Sequence, residues 1–209
     1  MAEETRDALQ NSLDKLDRTI KNKKSDKVVS ILTTWFHTWS KYLNSEPTFD
    51  PKYLIKYNAG DIITVDLGFN VGAELGGEHP AVVIEDNAKR AETVMVVPLS
   101  SLDEHETEAN VHRDSVYLGE LAIYNAIANK KEGTKSFAVI NQMRSASKIR
   151  IKKPTTGKDL KTHLDPRLLQ KIYDKVIESY TTQGLKRNIP EMPKELVPVV
   201  NSEVAASIE

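Results

Sequence analysis

The chain reads as an α+β protein, a small β-barrel with helices before and after it. Three observations predict this class. Between residues 62 and 152 lie six short runs of strand-type residues separated by polar turns, the pattern of a small barrel. Two stretches before these runs and one after them repeat apolar residues at three- and four-residue spacings, which is the period of a helix. A length of 209 residues with 39% hydrophobic content can bury one sizeable core plus an appendage, so no second large domain is required.

Residues 1–46 are expected to form an N-terminal helical extension of two helices. The first is predicted over Glu3 to Asn22, where Leu9, Leu13, Leu16 and Ile20 form a narrow seam on a charged background, as in a short coiled coil or helical hairpin. Lys21-Asn22-Lys23-Lys24 breaks it. Ser25 can cap the second helix, with Asp26 in its first turn. Val28, Leu32, Trp35, Trp39 and Leu43 make its apolar stripe, widened by Ile31, Phe36 and Tyr42. Such a stripe packs against the first helix, the barrel or a second copy of the chain, and a ligand site is the alternative reading. His37 within it reads as a surface histidine. Asn44 to Ala59, with Pro47 and Asp50-Pro51, reads as a linker.

The barrel domain is expected over residues 57–185. Its first strand, Ile62 to Leu67, alternates Ile63, Val65 and Leu67 with Ile62, Thr64 and Asp66, as a half-buried strand does. Gly68, Gly72, Gly76 and Gly77 follow, and they let the backbone turn sharply and approach a ligand. The remaining strands are placed at Ala81 to Glu85, opening on Pro80, and at Thr93 to Leu99, Ser115 to Leu118, Phe137 to Met143 and Ser147 to Lys152. Asp165 caps a last helix with Pro166 at its first position. Leu169, Ile172, Val176 and Tyr180 form its apolar face, and Gly184 is placed to end it. Residues 186–209 carry Pro190, Pro193 and Pro198 and are acidic, so an extended or disordered tail is expected.

The formal net charge of −1 does not announce a nucleic-acid binder, but the distribution is uneven. Arg144, Lys148, Arg150, Lys152, Lys153, Lys158 and Lys161 face only Asp159 in their segment. Lys148, Arg150 and Lys152 would share one face of a strand, which suits a groove that tracks a phosphate backbone and equally a solvated edge. With no cysteine, disulfides and thiolate metal sites are excluded. His105, His112 and His163 lack ligand spacing, so no metal and no cofactor is expected. Neither an apolar leader nor a run of about 18 apolar residues occurs, and a soluble cytoplasmic protein without membrane contact is the expectation.

The stretch Gly60 to Ile84 resembles the signature of the PemK/MazF family of toxins from type II toxin-antitoxin systems. The matching elements are Asp66-Leu67 at the strand end, the loop Gly72-Ala73-Glu74-Leu75-Gly76-Gly77, and His79-Pro80 where the family has Arg-Pro. Val96-Val97-Pro98-Leu99-Ser100 looks like the family's third strand, which ends in Thr or Ser. Asn141-Gln142-Met143-Arg144 looks like its Gln-x-Arg strand ending, and Leu164-Asp165 opens the last helix as in relatives. The four blocks fall in order between about Tyr57 and Gly184.

The resemblance implies an SH3-like barrel of antiparallel strands, a homodimer through that barrel, single-stranded RNA as substrate and a cognate antitoxin protein as partner. It also implies a metal-independent endoribonuclease, in which a base activates the 2′-hydroxyl, an acid protonates the leaving 5′-oxygen and cations or N–H groups hold the phosphorane. Carried over by position, His79 and Ser100 are the catalytic candidates. A histidine lacks arginine's planar fork, yet it exchanges a proton near neutrality, its ordinary pKa being about 6.5. Glu74, Gln142, Arg144, Lys148 and Arg150 are the candidate RNA or phosphate contacts. Arg144 reads either as a phosphate cation or as a salt-bridge partner of Glu74 or Asp66, and Ser100 either as a phosphate donor or as a turn cap. Some relatives place other polar groups at positions that are Ala73 and Asn141 here, neither of which is a proton carrier. The alternative is therefore a catalytically silent module that holds RNA or a peptide; a gyrase-poisoning relative of the fold is a third, weaker reading. By analogy with the acidic segment of antitoxins, the acidic tail or the N-terminal helices can cover the groove in cis.

Overall fold

The computed structural model describes residues 2–181. The expected helix stop at Gly184 and the acidic tail over 186–209 lie outside the described residues. Two helices lead, α1 (Glu3–Lys23) and α2 (Asp26–Ser45), the latter opening at Ser25 in an extended conformation. The linker is not featureless, because each of its Pro-led segments, Glu46–Thr48 and Pro51–Tyr53, closes a short 3-10 turn. The strands are β1 (Asp61–Asp66), β2 (Glu78–Val83), β3 (Thr93–Ser101), β4 (Ser115–Glu120), β5 (Lys135–Val139), β6 (Arg144–Ser147), β7 (Ile151–Lys153) and β8 (Thr162–His163). A short helix α3 (Ala122–Ile127) joins β4 to β5, and α4 (Pro166–Tyr180) ends the described chain, with the Asp165 side chain accepting from Arg167 N.

The sheet runs β4-β5-β3-β2-β1-β7, with β6 on β3 and β8 on β1, and the pairings are antiparallel. Strand β3 divides its partners: Thr93 to Val96 pairs with β6, and Leu99 to Ser101 pairs with β5. The sheet curls into a barrel-like shape whose ladder stays open between β6 and β7, where a 3-10 turn carries the chain across.

Both faces of the central strands are buried. Ile63, Val65 and Leu67 of β1 pack with Ala81, Val83, Val94, Val96 and Tyr57. Ile62 points the other way, with Val82, Val97 and Leu99, onto Leu164 and Ile172 of the last helix and its approach. The half-buried pattern expected of β1 is thereby corrected: α4 covers the face that would otherwise meet water, so Ile62 is as much core as Ile63.

Other corrections concern short elements. Strand β2 begins at Glu78 and contains Pro80; it pairs with β3 only from Ala81 onward, so the ring lies where that side of the strand is open. The run Phe137 to Met143 is not one strand, because a 3-10 turn over Ile140–Gln142 redirects the chain from β5 to β6. The run Ser147 to Lys152 is broken by a second 3-10 turn, Lys148–Arg150. Lys148, Arg150 and Lys152 therefore do not share a strand face.

Helix α2 docks on the barrel by a polar anchor and a ring. Tyr42 donates to the buried Asp66 carboxylate at 2.9 Å, and burial raises the pKa of the phenol. The Lys152 ammonium stands 5.3 Å above the Tyr42 ring and 3.8 Å from the same carboxylate. Trp35 stacks with the Arg150 guanidinium at 5.5 Å. A Cβ on Gly68, which sits at φ +79, would come within 2.7 Å of the Trp35 ring, so only glycine lets the helix settle here. The stripe expected to pack does so through Leu32, Trp35 and Tyr42, while Ile31, Trp39 and Leu43 remain about half exposed.

Lys148 departs furthest from expectation. It is 1% exposed, its ammonium donates to the carbonyls of Ala88 (2.9 Å) and Lys89 (3.2 Å), and it lies 5.8 Å from the Tyr57 ring. This is a structural cation that holds the β2–β3 connection, with its pKa lowered by burial. Lys148→Met keeps the stem and orphans both carbonyls, and is expected to cost about 1–3 kcal/mol in urea unfolding. An unchanged midpoint would put the ammonium back among the candidate groove cations.

Candidate active site

The β1–β2 loop is laced shut by its own backbone. Leu67 N donates to Gly77 O at 2.8 Å and Gly77 N returns to Gly68 O at 2.6 Å. The Asn70 amide bridges Leu67 O (3.2 Å) and Leu75 O (2.6 Å) across the loop's middle. Gly76 passes so close to Gly68 O that a Cβ there would lie 2.6 Å from it. Gln142 clamps the outside, accepting from Leu75 N at 3.1 Å and donating to Ala73 O at 3.5 Å.

This rigid loop delivers the start of β2, and with it His79, to a cleft of about 590 Å³. His79, Ser100, Ser101, Tyr124, Lys130 and Lys153 line it, among others. The His79 Nδ1 lies 3.3 Å from Leu99 O. A carbonyl only accepts, so in this contact Nδ1 is the donor, which leaves Nε2 as the nitrogen that faces any other partner. On the other wall the Lys130 ammonium donates to Ser101 Oγ at 2.7 Å and sits 5.3 Å from the Tyr124 ring. Burial lowers the Lys130 pKa. Since Ser101 Oγ receives that bond, its own proton is free to point elsewhere.

Of the residues expected from sequence, His79 and Ser100 meet in this cleft. The others do not. Glu74 borders a second cleft of about 600 Å³, between the loop and Ser30, Thr34 and Trp35 of α2. Gln142 is occupied by the loop. Arg144 lies on β6 opposite Val96. Asp66 is engaged by Tyr42 and Lys152 instead of Arg144. Arg150 lies under Trp35, and burial is the main cause of its lowered pKa. Among the described residues no group of three or more His, Asp or Glu side chains is arranged to hold a metal ion, and no helix is long and apolar enough to cross a membrane.

Sequence reasoning missed Ser101, Lys130 and Tyr124. The latter two are carried by α3 and the turn after it, a six-residue helix too short to show a period. Lys153, part of the basic run, lines the cleft as well.

The family model described as "PemK-like, MazF-like toxin of type II toxin-antitoxin system" matches residues 58–180. Among solved structures, MazF of Deinococcus radiodurans is similar at 16% identity and a TM-score of 0.42, over 59% of this chain and 94% of that one. An endoribonuclease in complex with its cognate antitoxin from a Mycobacterial species is similar at 16% identity and a TM-score of 0.39, over 64% and 98%. A MazE-MazF complex from Deinococcus radiodurans matches at 16% identity and a TM-score of 0.36, over 59% and 94%. No curated protein matches.

Gln142→Ala removes the clamp and leaves the rest of the loop bonded. Stability is expected to fall by about 1 kcal/mol, with hydrogen exchange at the Leu75 amide accelerated about tenfold. Unchanged exchange at Leu75 would mean that the loop holds itself without Gln142.

Proposed function

The chain belongs to the PemK-like, MazF-like toxins of type II toxin-antitoxin systems, and from that premise we propose that it is a metal-independent endoribonuclease cutting single-stranded RNA by 2′-hydroxyl attack. The observation that carries the reading is the convergence of His79 and Ser100 on one cleft that also holds two ammonium groups. In the proposed reaction His79 Nε2 takes the 2′ proton and the 2′-oxygen forms a bond to phosphorus. The bond from phosphorus to the 5′-oxygen then breaks, leaving a 2′,3′-cyclic phosphate. Ser101 gives its proton to the departing 5′-oxygen and is reprotonated by Lys130. The Ser100 hydroxyl and the Lys153 ammonium face the phosphate oxygens. A cognate antitoxin occupies the same cleft when the toxin is held silent, the barrel forms a homodimer, and the protein acts in the cytoplasm. Glu74 and Arg144 then border the outer path of the RNA and not the reacting phosphate, while Arg150 stays under Trp35.

A second reading, a silent module for RNA or a peptide, draws on Ala73 and Asn141, neither of which carries a transferable proton. Cleavage of a mixed-sequence single-stranded RNA in EDTA separates the two. The wild type is expected to cut and leave cyclic phosphate ends, and His79→Ala to lower kcat by about 10²- to 10⁴-fold. Intact RNA with the wild type, and cutting by His79→Arg, would mark the silent module.

The Lys130 ammonium has a second, separate consequence. Its lowered pKa means that the acid form is lost as pH rises at a lower pH than for an ordinary lysine, so the alkaline limb of kcat should fall below the usual lysine range near 10.4. Lys130→Arg keeps the charge but cannot give up a proton, and is expected to reduce kcat about 10²-fold with KM nearly unchanged. A retained kcat would reduce Lys130 to a phosphate cation.

A further inference from the structure

We propose that α1 is a self-docking helix, whose leucine seam pairs antiparallel with that of a second copy of the chain through a contact separate from the barrel. The described side chains from Glu3 to Asn22 are exposed except Ile20, which is half-buried. Leu9, Leu13 and Leu16 are 50%, 49% and 42% exposed. A helix of 21 residues owes most of its stability in water to packing of its apolar face, and among the described residues Leu9, Leu13 and Leu16 of this face are left about half exposed.

The sequence specifies what covers it. The seam spacing of four, three and four is the same read in either direction, so a reversed copy lays Leu9 on Ile20 and Leu13 on Leu16. One flank of the seam holds Glu3, Gln10, Asp17 and Lys24 at seven-residue intervals. Reversal sets Glu3 opposite Lys24 of the second copy, and Gln10 opposite Asp17. The first is an ion pair and the second an amide-carboxylate hydrogen bond. The other flank, Thr5, Ser12 and Thr19, is neutral and small and permits close approach. Asp14 and Lys15 straddle the two-fold point. A parallel pair would instead crowd Glu3 and Glu4 of both copies at one end and Lys21 and Lys24 at the other, and would align the helix dipoles unfavourably. The pairs now made within the helix, Gln10 to Asp14 and Asp17 to Lys21, are exposed and exchange readily. The seam is therefore apolar, self-complementary and charge-matched in a single orientation.

Cross-linking tests this directly, because the chain has no cysteine of its own. Full-length Gln10→Cys and Asp17→Cys proteins are oxidised separately and as an equimolar mixture. Covalent dimer is expected in the mixture at about ten times the yield of either protein alone, since antiparallel pairing joins these two positions and separates each from itself. Self-linking of either variant at the mixture's yield would indicate a parallel or random contact, and no linking would mean that a second α1 does not cover the seam; either result overturns the proposal. As an independent readout, Leu13→Asp with Leu16→Asp should lower helical ellipticity and abolish its rise with protein concentration, with thermal unfolding of the barrel unchanged. Ellipticity that is insensitive both to concentration and to these substitutions would also overturn it.

Discussion

The buried carboxylate of Asp66 is the constraint on which the site side of the molecule depends. It is 5% exposed at the end of β1 and accepts from the Tyr42 hydroxyl at 2.9 Å and from Gly68 N at 2.9 Å, with Lys152 close by. A carboxylate so placed must be satisfied from several directions, and each donor comes from a different element: α2, the β1–β2 loop and β7. The register that follows sets Asp66 opposite Glu78 and Val65 opposite His79. The position of His79 is thus decided by how β1 ends and not by the histidine's own contacts, which amount to one bond to Leu99 O.

The other end of β1 repeats the device. Asp61 is 6% exposed, accepts from Asn58 N at 2.8 Å, and has His163 Nδ1 at 3.3 Å and Lys161 Nζ at 3.6 Å. It fastens β8 to β1 just before Leu164 enters the core and Asp165 starts α4. One six-residue strand therefore carries two buried acids that fix opposite ends of the barrel, with an apolar stretch between them facing both clusters. A strand charged at both ends and apolar in the middle cannot slip its register without burying an unpaired carboxylate.

The sequence made legible what depends on local pattern. The seam of α1, the alternation of β1, the cap and proline of α4 and the loop glycines are all periodic or conformational signals, and they correspond to real elements. What it hid depends on distant partners. Lys148 belongs to a basic run, and nothing adjacent reveals that two carbonyls from Ala88 and Lys89 await its ammonium. The positive φ of Gly68 is a local turn signal, but that Trp35, over thirty residues earlier, and Arg150 also leave no room for a Cβ there is not. Within the cleft, His79 and Ser100 are the residues that family position points to, while Lys130 follows a helix shorter than two turns that leaves no periodic trace.

On the proposed reading, a histidine at position 79, where the family resemblance leads one to expect arginine, changes how charge is distributed in the cleft. An arginine at position 79 would bring both the cation and a planar fork that fixes phosphate orientation from the β2 wall. Here that wall offers an imidazole beside Glu78, and the ammonium groups of the cleft are those of Lys130 and Lys153. Ammonium groups are point charges that attract a phosphate without orienting it. In that reading orientation falls to the hydroxyls of Ser100 and Ser101, which end β3 on a ladder opposite Phe137 and Ser136. On the proposed reading the two tasks of one arginine are divided, and the Lys130 to Ser101 hydrogen bond is where they rejoin, since it couples a cation to a hydroxyl whose direction the strand determines.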